Sequence, residues 1–474
     1  MKTYPLYLHG QFVTTEKTIS VTNPATGELL GKLSTVDRAA VAKAIDDAHR
    51  AFLDWRRLPA KSRGDFLHKI ANEVERRIDE IARLITLENG KPLAQSRGEL
   101  GMTLDHLRWF AEEARRAYGR VIPHQVDNKR HLVVKTPMGV VGAISPWNFP
   151  LVLAVRKVAP ALAAGCTVVL KPASATPLCA AVFAECVDAA KLPAGVFQLV
   201  AGSASEIAAE FLQNPLCRKI TFTGSTEVGR KLIEGAAAQI KPLSLELGGL
   251  APLLVFDDCD FEKAVEQTMI AKFRNTGQSC IAANRIYVQR GVYEKFLAAL
   301  VEKTKALKVG DGLEPDVQIG ALIDGEAIAK AEQHVADAVK RGARLLCGGK
   351  RVERPGNFFQ PTVLADVPKT GLCMCEETFA PIAPVCAFET EREAVELANG
   401  SNFGLSAYAF TRDLNRTFRL MENLETGMLA INDGVPTTSQ SPFGGVKQSG
   451  WGRELGSEGL DAFLETKHIA LNIA

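Results

Sequence analysis

One cysteine in a polar loop is the strongest candidate for chemistry in this sequence. Cys280 lies in the stretch KFRNTGQSCIAANR, after a helix-like run, Asp260 to Phe273, that gives way to a turn at Gly277. A free cysteine is usually a small buried hydrophobe. Here polar residues and Arg274 surround it, and fixed donors with a nearby cation favour thiolate over thiol. The pattern therefore predicts a nucleophilic thiol.

Alternating strand and helix patterns must position this loop. Apolar runs such as GVVGAIS, CTVVLKP and KITFTG alternate with helical patterns, and a second series of the same kind runs from Ala251 to Asn432. Such alternation produces βαβ units and a largely parallel sheet. The predicted fold class is α/β, with two Rossmann-like doubly wound layers. Gly224 and Gly229 open a helix without the G-x-G-x-x-G fingerprint, so a plain turn and a phosphate loop both stay open there.

The first part of the chain has simpler patterns. Tyr4 to Leu33 shows short extended runs broken by turns, which predict a small entry sheet. The spacing then becomes helical, and helices are expected around Ser62 to Asn89 and Lys91 to Tyr118. Val121 to Pro137 returns to extended character, which by itself predicts only a hairpin.

Composition excludes several classes of protein. The 474 residues are 46% hydrophobic and 23% charged, as in a globular protein of two or three domains, so disorder is excluded. The net charge of +2 gives no support for a nucleic-acid partner, and no apolar run approaches the roughly 20 residues that span a bilayer. No signal or transit pattern is visible, so a cytoplasmic location is expected. The 10 scattered cysteines predict reduced thiols, and no metal site is expected.

Three separated motifs carry a family resemblance. The runs PWNFP at 146–150, SLELGG at 244–249 and FRNTGQSC at 273–280 occur in this order, and together they closely resemble the aldehyde dehydrogenase superfamily. Within it, the chain is most similar to the succinate-semialdehyde dehydrogenases, over nearly its whole length. The resemblance implies oxidation of an aldehyde through a thiohemiacetal and a thioester on Cys280.

The same resemblance implies two catalytic partners. Asn148 is expected to donate to the oxyanion, together with the backbone N–H of Cys280; the alternative is that it caps the next helix, a common role of asparagine. Glu246 is expected to activate the water that hydrolyses the thioester. A solvated surface carboxylate is the usual alternative, but the neighbouring leucines predict a buried strand.

The cofactor is expected to be NADP, with NAD left open as well. Many NAD-preferring relatives carry Glu at the position of Ser174, where an acid would repel a 2′-phosphate, whereas Ser174 with Lys171 can accept it. Ala380 stands where the family usually has Gly, which puts the local backbone geometry in doubt. The resemblance implies a set of cofactor-binding residues: Trp147, Lys171, Ser174, Gly224, Ser225, Gly248, Glu377 and Phe379.

Substrate choice is expected to depend on Arg156 and Arg274, which match carboxylate-binding arginines of the succinate-semialdehyde dehydrogenases. The loop VPTTSQS lacks the serine pair of that family, and Thr437 or Thr438 is expected to supply the hydroxyl contact. This departure keeps 2-oxoglutarate semialdehyde, glutarate semialdehyde and a broader aldehyde range open as alternatives. Retention of Glu246 argues against a CoA-acylating enzyme, and the intact catalytic set argues against a non-catalytic structural protein.

The resemblance also implies a domain plan. Residues 1–118 and 140–250 are expected to form the NAD(P)-binding domain, and residues 251–432 the catalytic domain. Residues 119–139 and 455–474 are expected to form a small β oligomerisation arm. A homotetramer or homodimer follows from the resemblance alone.

Overall fold

The two series of alternating strands and helices form two large sheets. In the computed structural model, which describes residues 2–473, each sheet is mainly parallel and has apolar clusters packed against it. The predicted α/β fold class with two doubly wound layers is confirmed. Met1 and Ala474, which begin and end the predicted domain ranges, lie outside the described residues.

The strands are mostly short. Their bounds are β1 Thr3–Tyr4, β2 Leu6–Leu8, β3 Gln11–Val13, β4 Thr18–Thr22, β5 Leu29–Ser34, β6 Arg120–Ile122, β7 Lys129–Pro137, β8 Val140–Ile144, β9 Thr167–Lys171, β10 Phe197–Leu199, β11 Cys217–Thr223, β12 Leu243–Glu246, β13 Pro252–Val255, β14 Arg285–Gln289, β15 Arg344–Cys347, β16 Thr362–Ala365, β17 Ile382–Phe388, β18 Phe403–Gly404, β19 Ser406–Phe410, β20 Met428–Ile431, β21 Val446–Lys447, β22 Gly450–Trp451 and β23 Leu464–Asn472.

The helices lie between and beside these strands. Their bounds are α1 Arg38–Trp55, α2 Ala60–Arg76, α3 Ile78–Asn89, α4 Leu93–Glu113, α5 Val152–Ala164, α6 Leu178–Ala189, α7 Ala204–Gln213, α8 Thr226–Ala236, α9 Phe261–Phe273, α10 Tyr293–Lys305, α11 Gly325–Lys340, α12 Leu372–Cys375, α13 Glu391–Asn399, α14 Leu414–Asn423 and α15 Gly456–Asp461.

Sheet 1 has the strand order β22-β12-β11-β8-β9-β10-β2-β3, and β8 to β12 run parallel. Strand β9, TVVLK, is buried along its whole length, as expected of a parallel strand covered on both faces. The strand order reverses between β8 and β11. The loops after these two strands therefore flank a crevice at the carboxyl edge of the sheet, where open α/β sheets bind ligands.

Sheet 2 has the order β15-β16-β17-β14-β13-β19-β20, parallel except for β15. Helix α9 crosses from β13 to β14, and the Cys280 loop joins the end of α9 to the start of β14. A third sheet, β23-β7-β6, contains the predicted hairpin and adds the C-terminal strand to it along nine residue pairs, from Leu464 with Pro137 to Asn472 with Lys129.

Several predicted elements need correction. The helix expected from Ser62 to Asn89 is two helices, α2 and α3, separated where Arg77 leaves helical geometry (φ −109°, ψ 19°). The sequence does not reveal this break because the buried positions of both helices keep helical spacing across it. The entry sheet is divided: β2 and β3 join sheet 1, whereas β1, β5 and β4 form a separate sheet. Helix α7 and strand β16 were not predicted.

Candidate active site

Cys280 follows a sharply turned segment. After α9 ends, Asn275, Thr276 and Gly277 have φ values of 50°, 57° and 77°. Glycine is required at the third position, because a Cβ atom there would lie 2.2 Å from the carbonyl oxygen of Ala380. The turn ends the helix abruptly, and Cys280 lies in the loop that follows, half-buried rather than in a core.

Two cavities of very different size meet at Cys280. The wide cleft has a volume of about 500 Å³ and lies between the carboxyl edge of sheet 1 and α11, with Trp147, Gly224 and Glu377 in its lining. The narrow cavity has a volume of about 20 Å³, room for about one water molecule, and Arg156 is part of its lining. Cys280 is exposed to both spaces, so a thiol adduct and a ligand in the wide cleft can meet at its sulfur.

Asn148 lies in the loop after β8, at the edge of the wide cleft. Its Nδ2 donates to the carbonyl oxygen of Gln278 over 3.1 Å, and within the described residues its Oδ1 has no partner. It does not cap α5: the first N–H groups of that helix, those of Leu151 and Val152, donate to the carboxylate of Glu99. The helix-cap interpretation is therefore wrong, and the amide group lies next to the cysteine loop.

Glu246 is the last residue of β12 and is only 3% exposed, in agreement with the predicted buried strand. Within the part of the chain that the structure describes, its Oε2 atom has no hydrogen-bond partner. Burial, and then the nearby carboxylate of Glu454, raise the pKa of Glu246 well above its usual value. Lys157 lies 2.5 Å from Glu454 and 2.6 Å from the hydroxyl of Thr223. A buried carboxyl group whose pKa is raised is suited to taking up and holding a proton.

The electrostatic setting of Cys280 differs from the prediction. Burial first, and then the carboxylates of Glu377 and Glu246, raise the pKa of its thiol to about 12, although Arg156 acts to lower it. The expectation that a nearby cation favours thiolate is wrong for the free protein, because burial and two carboxylates outweigh one guanidinium. The sequence places these carboxylates 34 residues before and 97 residues after the cysteine, so no local pattern reveals them.

Most of the predicted cofactor-binding residues line the wide cleft. These are Trp147, Gly224, Ser225, Gly248, Glu377 and Phe379. The rings of Trp147 and Phe379 meet edge to face at 5.6 Å, and Phe379 has a positive φ of 49°. A Cβ at Gly248 would lie 3.3 Å from Oε2 of Glu377. Burial raises the pKa of Glu377 to about 7.

This cleft fits an extended ligand with a phosphate and a sugar. Ser225 caps the N-terminus of α8 by accepting from the N–H of Val228, and this capping residue lines the cleft. Glu377 accepts from the N–H of Gly249 over 3.3 Å through one oxygen, which leaves the other oxygen available to a ligand hydroxyl.

Two predicted cofactor residues lie away from this lining. Lys171 ends β9, is buried, and donates through Nζ to the carbonyl oxygen of Pro172 over 3.1 Å. Ser174 is exposed in the loop that follows. The main-chain pairing of Ile144 with Lys171 puts this loop beside the one that carries Trp147, at the carboxyl edge of sheet 1.

Arg156 and Arg274 are brought together at the narrow cavity. Arg156 is 5% exposed and its guanidinium lies 4.6 Å from the centre of the Phe443 ring, while the partly buried Arg274 lies 5.1 Å from that of Phe149. Burial lowers the pKa of both arginines. Within the described residues, their hydrogen bonds go to His106 and to the sulfur of Met102, and not to a carboxylate.

The two threonines of the loop VPTTSQS, called the substrate loop below, lie in different surroundings. Thr437 lines the narrow cavity, and its hydroxyl oxygen is buried with no partner in the described part of the chain. Thr438 is exposed, and its hydroxyl donates to Oε1 of Gln440 over 2.6 Å. Thr438 is therefore removed from the candidate substrate residues, because consecutive side chains of an extended loop point in different directions.

Sequence reasoning missed other residues around the site. Lys157 and Glu454 adjoin Glu246, and His106 adjoins Arg156. Lys157 carried a signal, because it and Arg156 are the two charged residues of a helix, VLAVRKVAPALAA, that is otherwise apolar and whose residues are all buried. His106 and Glu454 gave no signal of comparable strength. In the described residues no group of acidic, histidine or cysteine side chains is arranged to hold a metal ion.

Two doubly wound sheets, with a cysteine exposed to both a wide cleft and a narrow cavity, are the arrangement expected of an α/β oxidoreductase that reacts through a thiol. The chain belongs to the aldehyde dehydrogenase family, whose profile matches residues 12–469, and the resemblance inferred from the motifs is confirmed. The NADP(+) succinate-semialdehyde dehydrogenase of Escherichia coli is 51% identical over 96% of this chain and 94% of its own length.

Two further comparisons agree with this one. The glutarate-semialdehyde dehydrogenase of Pseudomonas putida is 48% identical over 98% of this chain and 97% of its own. The crystal structure of an Escherichia coli NADP-dependent enzyme superposes with a TM-score of 0.98, at 49% identity, and the alignment covers 99% of this chain and 98% of the other. No helix among residues 2–473 has the length and apolar character needed to cross a bilayer.

Proposed function

We propose that this chain oxidises succinate semialdehyde to succinate and uses NADP as the cofactor. The observation that carries the proposal is the pair of arginines, Arg156 and Arg274, in the narrow cavity beside Cys280. A guanidinium group pairs with a carboxylate through two parallel hydrogen bonds. Two relatives are named for succinate semialdehyde and glutarate semialdehyde, both aldehydes with a terminal carboxylate, which supports the same substrate class here.

The first chemical step is attack by Cys280 on the aldehyde carbon. The thiol must lose its proton first, and burial makes that loss unfavourable in the free protein. The buried carboxyl group of Glu246, with its raised pKa and unpaired Oε2, is the proposed acceptor of this proton. The narrow cavity, with room for about one water molecule in the free protein, must widen to admit the substrate, whose carboxylate then pairs with the arginines so that the aldehyde carbon reaches the sulfur.

Asn148 is the proposed oxyanion donor. One N–H of its Nδ2 donates to the carbonyl oxygen of Gln278, the second N–H is proposed to donate to the new oxyanion, and the backbone N–H of Cys280 is the other donor. The Asn148→Ala variant should lose about 10²- to 10³-fold in kcat for every aldehyde tested, as expected for one oxyanion donor. A loss confined to one aldehyde would contradict this role.

Residues of the wide cleft are proposed to hold the cofactor. Glu377 accepts from a ribose hydroxyl and the N-terminus of α8 with Ser225 faces the phosphates, while Lys171 and Ser174, outside the lining, donate to the 2′-phosphate. When bound, NADP supplies the hydride acceptor of the reaction. Trp147 and Phe379 exclude water from the side of Cys280 that faces this cleft.

Hydrolysis of the thioester completes the proposed cycle. Glu246 first passes on the proton from Cys280 toward Glu454 and Lys157, which lie near it, and its carboxylate then takes a proton from the attacking water. In the Glu246→Gln variant both proton transfers lose their acceptor, so formation of NADPH in the first turnover and breakdown of the acyl-enzyme should both slow. Unchanged breakdown of the acyl-enzyme would show that another group activates the water.

The test of the proposed function is kcat/KM for succinate semialdehyde, glutarate semialdehyde and butanal at saturating NADP. We expect the carboxylated aldehydes to exceed butanal by about 10²-fold or more, since each 1.4 kcal/mol of discrimination is about tenfold. The second candidate is glutarate semialdehyde, favoured by the identity to its dehydrogenase, and the ratio of the two acids decides between them. Equal values for butanal and both acids would contradict a carboxylate-specific enzyme.

The domain plan and assembly are also proposed. Residues 1–118 with 140–250 form the cofactor-binding domain and residues 251–432 the catalytic domain, which is supported by the strands that build sheets 1 and 2. Residues 119–139 and 455–474 form the arm of a cytoplasmic homotetramer or homodimer, supported by the exposed strand β23. Light scattering that gives the mass of one chain, or recovery in a membrane fraction, would contradict this assembly or this location.

A further inference from the structure

We propose that His106 is a positioning residue for substrate recognition, which holds Arg156 so that both ends of its guanidinium fork face the substrate carboxylate. This inference rests on the proposed function. It concerns a residue with no predicted role, which lies on α4 and is 50 positions away from the arginine in sequence.

The geometry begins with a single hydrogen bond. The Nε of Arg156 donates to Nε2 of His106 over 3.2 Å. In the described part of the chain, the Nη atoms of Arg156 have no acceptor within the protein. The Phe443 ring lies 4.6 Å from the guanidinium carbon and fixes the plane of the group. One donor is thus bound to the protein, and the two nitrogens that form a bidentate pair with a carboxylate remain free.

The direction of the next hydrogen bonds determines the tautomer of His106. The hydroxyl of Ser439 donates to the carboxylate of Asp105, which can only accept. Since a hydroxyl has one proton, Ser439 must accept from Nδ1 of His106 over 2.7 Å. The ring therefore carries its proton on Nδ1, and Nε2 presents a lone pair to Arg156.

Burial keeps the ring in this state. His106 is 1% exposed, and burial followed by the charge of Arg156 lowers its pKa well below the usual value, so it remains a neutral acceptor. A protonated ring would offer a second N–H to the arginine and would repel it.

The chain of hydrogen bonds from Asp105 through Ser439 to His106, called the relay below, also connects the arginine to the substrate loop. Ser439 is buried two residues after Thr437, whose unpaired hydroxyl lines the narrow cavity. The carbonyl oxygen of Ser439 accepts from the N–H of Gly456 over 2.9 Å, which fixes the backbone of the loop. Asp105, Ser439 and His106 thus set the position of Arg156 and of the loop that closes the cavity against it.

The experiment uses the full-length enzyme and compares kcat/KM for succinate semialdehyde and butanal at saturating NADP. His106→Phe keeps a ring of similar size and removes the acceptor. It should lower kcat/KM for succinate semialdehyde by about 10- to 100-fold, mainly through KM, and change the value for butanal by less than about threefold. His106→Gln retains an acceptor and should restore most of the loss. His68→Phe, the same change at a surface histidine of α2, is the matched control and should leave both values unchanged.

A double-mutant cycle separates positioning from a general structural role. In the Arg156→Met background, His106→Phe should cause no further loss with succinate semialdehyde, because the group it positions is gone. Equal losses for both aldehydes, or the same loss with and without Arg156, would overturn the inference. If His106→Phe does not fold, Ser439→Ala replaces it. Ser439→Ala should give a smaller loss in the same direction, and no loss for the acid would overturn the relay.

Failure of the proposed function gives a different result. A wild-type enzyme that treats succinate semialdehyde and butanal alike would overturn the carboxylate specificity, and this inference with it. A wild-type enzyme that favours the acid, and keeps that preference in His106→Phe, would overturn only the inference about His106.

Discussion

The two sides of Cys280 use opposite means of holding a ligand. The wide cleft, about 500 Å³, is lined by glycines, aromatic rings and a helix N-terminus, with Glu377 as its buried carboxyl group. The narrow cavity, about 20 Å³, is lined by apolar side chains and two arginines. One side recognises its ligand largely through backbone shape, and the other through side-chain charge.

This difference has a consequence for specificity. Backbone and aromatic groups hold any ligand of suitable shape, so a single exposed residue such as Ser174 has only a modest effect on cofactor choice. Charge in a closed cavity acts more strongly, because the effective dielectric constant is lower there than at the surface. Changes on the substrate side should therefore have larger effects than changes at the edge of the cofactor side.

The largest effect on activity should come from Cys280, which lines both the wide cleft and the narrow cavity. Cys280→Ala removes the nucleophile, and turnover of every aldehyde should fall by about 10⁴-fold or more. Binding of NADP, followed by quenching of Trp147 fluorescence, should persist because the wide cleft is otherwise intact. Substantial residual oxidation of succinate semialdehyde would contradict the thiol mechanism.

The next effect should be confined to the narrow cavity. Arg274→Met replaces a guanidinium by a flexible apolar side chain, and kcat/KM for succinate semialdehyde should fall by about 10²-fold, as expected when a buried charge loses its partner. The KM for NADP and the value for butanal should change little. An equal loss for butanal would show that Arg274 supports the Cys280 loop rather than the substrate.

The pH dependence of Cys280 should follow its buried setting. With a pKa raised to about 12, the thiol form dominates at neutral pH, and the thiolate fraction grows as pH rises. The rate of alkylation by iodoacetamide in the cofactor-free enzyme should therefore increase by about tenfold per unit between pH 7 and 9. Cys280→Ser gives the background from other thiols, including the exposed Cys375. A rate that is constant over this range would mean that the thiol is already ionised.

The smallest effect should appear at the edge of the cofactor side. Ser174→Glu places a carboxylate where the 2′-phosphate is proposed to lie, and should shift the ratio of kcat/KM for NADP over NAD by about five- to tenfold toward NAD. Ser174→Ala, which removes only the hydroxyl, should shift it less. An unchanged ratio in both variants would place the phosphate elsewhere.

Local sequence patterns predicted the parts of this molecule that depend on neighbours in the chain. The run TVVLK gave β9, and the leucines around Glu246 correctly predicted a buried carboxylate. The break at Arg77 was missed because apolar spacing continues through it. The family motifs located Arg156 and Arg274, and the structure brings both to one cavity.

Other features depend on contacts between distant segments. The pKa of Cys280 depends on burial and on carboxylates from β12 and from the loop before β17. No spacing in the sequence shows that burial raises this pKa by more than Arg156 lowers it. Thr438 was included because two adjacent hydroxyls look equivalent in sequence, although only Thr437 faces the cavity. His106 approaches Arg156 only because α4 packs on α5.

The arginine pair also links substrate recognition to the stability of the folded protein. Arg156 is buried, and within the described residues no carboxylate is bonded to it, so the free enzyme contains a desolvated charge that a dicarboxylate can neutralise. Succinate should therefore raise the Tm in a concentration-dependent manner, and Arg156→Met should abolish this response in a thermal-shift assay. Because the product keeps the carboxylate by which the substrate is selected, tight selection also slows product release, which we expect to limit turnover.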